Sequence, residues 1–186
     1  MTIDLGGTLR RTKSEKRRSQ LATRPRDELV AAVDVAGAGR AALVLDTNVY
    51  IISAAGTLPY AAAALVDRGL LFHCSVCVAE LATGVANADP ARAGWKAIRD
   101  HYDALIARIP VTRLLTPDAD IWTEAGVIAG TLARCQGYQR HQRKECLNDA
   151  LIYLTAAKAG LPVLTANRDE FDLIQQLVPQ GRFIHF

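Results

Sequence analysis

The chain of 186 residues predicts an α/β domain built around a parallel sheet, and three observations carry that expectation. Beyond residue 40, apolar runs of strand length alternate with Ala- and Leu-rich stretches of helical length. The first such run, Ala41 to Leu45, is continuously apolar, the mark of a strand covered on both faces, and it ends at Asp46. Half of all residues are apolar, enough to build a sizeable core for one domain of ordinary size.

Taken in order, the strand at 41–45 is followed by a helical stretch over Tyr60–Arg68 and a second strand over Leu70–Cys74. Helices are then expected over Val76–Ala86, Ala91–Arg108, Asp118–Gln136 and Asn148–Ala159. Gly160 ends the last of these before a strand over Leu161–Thr165, and a weaker strand pattern occupies Arg182–His185. Ahead of the first strand, Asp27 to Ala36 reads as a short helix closed by Gly37 and Gly39, and residues 37–40 form the boundary with what precedes.

Charge separates the same two parts. Residues 1–40 hold nine Lys and Arg against five Asp and Glu, whereas the remaining residues hold thirteen against fourteen, so the net charge of +3 belongs to the N-terminal segment. That segment has few apolar residues to bury and is expected to be a basic extension, partly disordered or docked to a partner. The domain proper is expected at 41–186. No apolar stretch is long enough to span a membrane and no signal peptide pattern opens the chain, which predicts a soluble cytoplasmic protein. Four Cys are too few and too unevenly placed for a disulfide framework and read as thiols.

In an open parallel sheet, ligands gather outside the carboxyl ends of the strands, so acids at those ends carry the functional signal. Asp46 closes the first strand, Asp149 is expected to open the helix from Asn148, and Asn167, Asp169 and Glu170 follow the strand that ends at Thr165. Glu80 lies inside the apolar stretch VCVAELATG, where capping cannot account for an acid. Grouped carboxylates repel one another unless a cation holds them ionised. Oxygen-only ligation favours Mg²⁺ or Mn²⁺, and the chemistry that follows is metal-assisted hydrolysis of a phosphodiester. Read singly, Asp46, Asp149, Asp169 and Glu170 also suit helix caps and first-turn acids.

The segments VLDTNVYI at 44–51, CSVCVAELATGV at 74–85 and LNDALIYLTAAKAGLPVLTANRDEF at 147–171, in that order, resemble the PIN-domain ribonucleases, most closely the VapC-like toxins of bacterial toxin–antitoxin pairs. The resemblance implies a three-layer sandwich, with a mostly parallel central sheet flanked by helices, and a Mg²⁺- or Mn²⁺-dependent endoribonuclease that dimerises and is neutralised by a small cognate antitoxin. It implies Asp46, Glu80 and Asp149 as the metal-binding and catalytic acids, with Asn48 and Thr165 as polar neighbours. The fourth family position falls on Asn167, an amide without charge, with Asp169 and Glu170 as alternatives that supplement or replace it. Residues 1–40 lie outside the resemblance.

Arg134, Arg140, Arg143 and Lys144, together with His141, crowd the stretch RCQGYQRHQRKE just ahead of Asp149 and are candidates for contact with RNA phosphates, against a plain reading as a solvated loop. Tyr138 in the same stretch offers a base-stacking surface. Cys74 and Cys77 form a CxxC beside His73, but Cys135 and Cys146 complete no zinc spacing. A dehalogenase-type phosphatase would need an Asp where Asn48 stands, and no GxGxxG follows the first strand. The competing class is a PIN-like protein that binds nucleic acid or a regulatory partner without cutting.

Overall fold

A computed structural model describes residues 3–37 and 39–186. Met1 and Thr2 of the basic segment, and Ala38 within the boundary expected at 37–40, lie outside the described residues. In chain order the elements are α1 (Leu5–Arg11), α2 (Ala32–Val35), β1 (Ala42–Leu45), α3 (Thr47–Ala54), α4 (Tyr60–Arg68), β2 (Leu70–Cys74) and α5 (Ser75–Asn87). They continue with α6 (Trp95–Ala107), β3 (Leu114–Leu115), α7 (Ala119–Gln136), α8 (Arg140–Lys158), β4 (Val163–Thr165), α9 (Arg168–Leu177) and β5 (Phe183–His185).

The five strands form one sheet in the order β3-β2-β1-β4-β5, and every pairing is parallel. The expected α/β class and three-layer arrangement are therefore what the chain adopts. α3 to α6 link β1 to β2 and β2 to β3, and α7 to α9 link β3 to β4 and β4 to β5, so the crossovers move across the sheet in opposite directions in the two halves. β1 is central and flanked on both sides, which is why Leu43 and Val44 are completely excluded from solvent. The chain winds outward from β1 to β2 and β3, then returns to β4 on the opposite side of β1. The carboxyl ends of β1 and β4 thus form the switch point where a crevice opens.

α8 is the buried axis of the helical layer. Every residue from Ala150 to Ala156 is buried, so this part of the helix is covered all round rather than along one stripe. Tyr153 at its centre donates its hydroxyl to the carbonyl of Val178 at 3.0 Å. Gly181 lies so close to this ring that a Cβ there would stand 2.5 Å from ring carbon, a contact no side chain tolerates. No helix among the described residues is long and apolar enough to cross a membrane.

Three sequence expectations are corrected. The helix expected from Asn148 begins at Arg140, so Asp149 sits in its third turn and does not open it. Residues 140–145 are exposed on all sides and show no apolar periodicity, which hid the helix. Its start is set by Gly137, whose positive φ of 68° ends α7, and by the Gln142 side chain, which accepts from the backbone N–H of Gln139 at 2.8 Å. The single helix expected over Asp27–Ala36 is split into a 3₁₀ turn at Arg26–Glu28 and α2, because the Val30 carbonyl is taken by the His185 N–H at 3.0 Å and Ala31 bridges to β5. The two-residue β3 and the helix α3 were not expected; TNVYIISA is rich in β-branched residues, and position in the fold overrides that propensity.

The basic segment runs along α7, α9 and β5. Ser14 and Thr131 share a buried hydroxyl hydrogen bond of 2.6 Å, and Arg134 donates to the carbonyls of Ser14 at 2.7 Å and Arg17 at 3.1 Å. The strongest tie is Arg24. Its backbone N–H and Nε reach the two oxygens of Asp172 at 2.7 and 2.6 Å, and Asp172 is completely buried. Removing the guanidinium would leave that buried carboxylate without a counter-charge, held only by the backbone N–H at position 24 and the Gln176 amide. Arg24→Ala should therefore lower unfolding free energy by about 3 kcal/mol in chemical denaturation, and adding Asp172→Asn should recover part of the loss. A change under about 0.5 kcal/mol, the size of an ordinary surface substitution, would show that this pair does not anchor the segment.

Candidate active site

Asp46 leaves the end of β1 and caps α3: its Oδ1 accepts from the backbone N–H of Thr47 at 2.6 Å. Its Oδ2 accepts from the Thr165 hydroxyl at 2.6 Å and from the Asn48 amide, so that a side chain only 2% exposed has donors on both oxygens. Asn48 in turn takes the Ala166 N–H on its Oδ1 at 3.0 Å, and Thr165 Oγ1 takes the Asn167 N–H at 2.8 Å. These bonds stitch the rim of β1 to the rim of β4.

Glu80 projects from the second turn of α5. Its Oε2 accepts from the Thr47 hydroxyl and its Oε1 from the Asn148 amide at 2.7 Å, which ties α3, α5 and α8 together. Asp149, partly buried, accepts from the exposed Asn167 amide at 2.8 Å. Glu170, in the first turn of α9, accepts from the Tyr138 hydroxyl at 2.7 Å on Oε2, while its buried Oε1 has no partner among the described residues. Asp169 is different: it is exposed and paired with its neighbour Arg168.

These acids feel one another. Burial pushes the Asp46 carboxyl up to about 6, and the charge of Glu80 adds to this against the lowering hydrogen bonds from Thr165, Thr47 and Asn48. Asp149 is raised well above the ordinary carboxylate range, first by burial and then by the charges of Asp46, Glu170 and Glu80. Among the described residues no Lys or Arg pairs with any of the four. Nor do any three His, Cys, Asp or Glu close into a ready-made ligand group among the described residues. The donor set is nevertheless of the kind that suits a hard divalent cation: oxygens only, mutually repelling, without a cationic side chain, and with one carboxylate oxygen left over.

The basic candidates separate. Arg134 is turned toward the N-terminal segment, and Arg143 donates to the Tyr138 carbonyl at 3.0 Å. Arg140 is exposed, and Lys144 and His141 line a groove that Glu80 and Asn148 also line. Tyr138, read from sequence as a stacking surface, spends its hydroxyl on Glu170. Cys74 and Cys77 are buried where β2 meets α5, and burial pushes both thiols up; Cys77 donates to the Leu45 carbonyl at 3.4 Å. Sequence reasoning missed Asn148, next to an acid it did find, whose amide holds Glu80.

Comparisons with known proteins bear on the fold and the family. No curated protein sequence matches the chain. Among solved structures, a chain of VapBC-5, a member of the VapBC family of toxin–antitoxin systems from Mycobacterium tuberculosis, is 27% identical with a TM-score of 0.52, over 78% of this chain and 99% of that one. A chain of FitAcB from Neisseria gonorrhoeae is 20% identical with a TM-score of 0.55, over 77% and 96%. A chain of VapBC2 from Rickettsia felis, a complex bound to a DNA fragment from its promoter, is 19% identical with a TM-score of 0.52, over 78% and 98%. The PIN domain profile matches residues 43–176, a span that takes in β1 to α9 and with them Asp46, Glu80, Asp149 and Glu170, and the chain belongs to the PIN domain family.

Proposed function

We propose that the protein is a Mg²⁺- or Mn²⁺-dependent endoribonuclease in which Asp46, Glu80 and Asp149 hold the cation, with Glu170 rather than Asn167 or Asp169 as the further carboxylate. The observation that carries this reading is the convergence of four carboxylates on one rim with no Lys or Arg among the described residues paired to them. A bound cation would supply positive charge to a phosphodiester and acidify a water for attack. The chain's own residues do the placing. Thr165, Asn48 and the Thr47 N–H fix Asp46, Thr47 and Asn148 fix Glu80, and Asn167 fixes Asp149 through a single amide.

The similarity to chains of toxin–antitoxin complexes supports a role as the toxin of such a pair, restrained by a cognate antitoxin; that it works in the cytoplasm as a homodimer is part of the same proposal. A second reading, a PIN domain that binds nucleic acid or a regulatory partner without cutting, is favoured by the lack of any closed trio of acids among the described residues. Calorimetry separates the two. Titrated with Mn²⁺, the wild type should bind and Glu80→Gln should not; absence of binding in the wild type would favour the second reading.

Asp46→Asn should abolish cleavage of RNA in Mg²⁺ or Mn²⁺, and Thr165→Val, which removes only an orienting donor, should cost about 10- to 100-fold. An Asp46→Asn protein that cuts as fast as the wild type would refute the nuclease.

The raised Asp46 carboxyl has a stability counterpart without added cation. A group whose pKa rises from 3.8 to about 6 on folding favours the folded chain below 3.8 and loses that contribution as pH rises through about 6. Relative to wild type, Asp46→Asn should gain on the order of 3 kcal/mol across that window, because the histidine contributions cancel in the difference. Denaturation curves in chelator at several pH values test this, and a difference that shrinks as pH rises would contradict the crowding of the acids.

A further inference from the structure

Beside the acidic centre lies a groove of about 670 Å³, within the range of ~300–1,000 Å³ typical of sites that enclose small ligands. From α5 it is lined by Val76, Ala79, Thr83 and Gly84, residues of little bulk, and Glu80 and Asn148 of the acidic centre belong to the same lining. Trp122 from α7 and His141, Lys144 and Glu145 from α8 complete the lining. Trp122 is 50% exposed although its neighbour Ile121 belongs to the buried stripe of α7, so half an indole faces the groove with no core to fill. Gly84 is open in the same sense: a Cβ built there meets nothing within 4 Å.

An aromatic plate, an ammonium and an α5 lining of little bulk suit a nucleotide. Base stacking needs only a π face, and a lysine holds a phosphate as a point charge. Val76, Ala79 and Pro117 add apolar surface beside the indole and Lys144 sets a positive charge next to it, a pairing that a nucleotide uses and an apolar peptide segment does not. We propose that this groove is the track along which single-stranded RNA enters the acidic centre, one base stacked on Trp122 and an adjoining phosphate held by Lys144. Trp122 is then a determinant of which phosphodiester is presented beside Glu80. The proposal rests on the nuclease reading for its substrate class, but not on cleavage for its test.

The test is RNA binding in chelator, where no cutting intervenes, using the full chain and a short oligoribonucleotide of mixed sequence. With Trp95→Phe as background, Trp122 is the sole tryptophan, and RNA should quench its fluorescence. Trp122→Ala should weaken binding about tenfold, with Trp122→Phe restoring most of the loss. Lys144→Ala should weaken it less and reduce the salt slope by about one. Gly84→Leu, which fills the groove from an open position on a helix, should abolish the quench while leaving Mn²⁺ binding intact. Quenching and weakened binding in a protein that never cuts RNA would keep the track and sink the nuclease. RNA cut and bound by Trp122→Ala and Gly84→Leu as tightly as by wild type would sink the track and keep the nuclease. A groove that serves a protein segment would give that second result, and a wild type that does not bind RNA would overturn the track outright.

Discussion

The architecture is organised around an electrostatic debt: Asp46, Glu80, Asp149 and Glu170 repel one another at the carboxyl rim of a parallel sheet, and no basic side chain among the described residues answers them. Burial worsens the repulsion, since leaving water disfavours the charged forms of Asp46 and Asp149. Such a cluster persists only if the rest of the structure overdetermines it. The surplus comes from the core: β1 is sealed on both faces, and the centre of α8 is buried on every side, so the elements that carry Asp46 and Asp149 cannot easily back away.

Topology decides that these particular acids meet. Because the chain builds β1, β2 and β3 in one direction and then returns to β4 and β5 on the other side, residues more than a hundred positions apart face each other across the β1–β4 seam. Thr165 and Asn48 span that seam, and Thr47 and Asn148 extend the network to α5. The N-terminal segment contributes at a distance. Its Arg24–Asp172 pair lies on α9, the helix that also carries Glu170, so docking of the segment helps fix the register of one of the four acids.

Much of this could be read from the sequence because it is written in local pattern. A continuous apolar run ending in an acid marks β1 and Asp46, and a carboxylate in an otherwise apolar helix marks Glu80, as no capping need explains it. What escaped was written in contacts that have no local signature. α3 is built from residues that prefer strands, and the first turns of α8 carry no apolar stripe at all. The choice among Asn167, Asp169 and Glu170 could not be made from spacing. On the first turn of a helix, successive residues point in different directions, and only the packing of α9 turns Glu170 inward while Asp169 meets Arg168 in solvent. Trp122 carries no mark because its proposed role depends on sharing a groove with residues of α8 some twenty positions along the chain.

The choice of partners around the acids is itself informative. A lysine or arginine among them would relieve the repulsion and stabilise the fold, as Arg24 does for Asp172. It would also occupy the oxygens that a divalent cation needs and leave the site electrically satisfied. Thr47, Asn48, Asn148, Thr165 and Asn167 do something different: neutral donors orient each carboxylate without cancelling its charge, and hydroxyls and amides can turn aside at less cost than a buried ion pair can be broken. A protein selected only for stability would have no reason to prefer this arrangement. The retained negative charge is stability withheld from the fold, and the proposed cation, together with the phosphate it would attract, is what gives that charge a use.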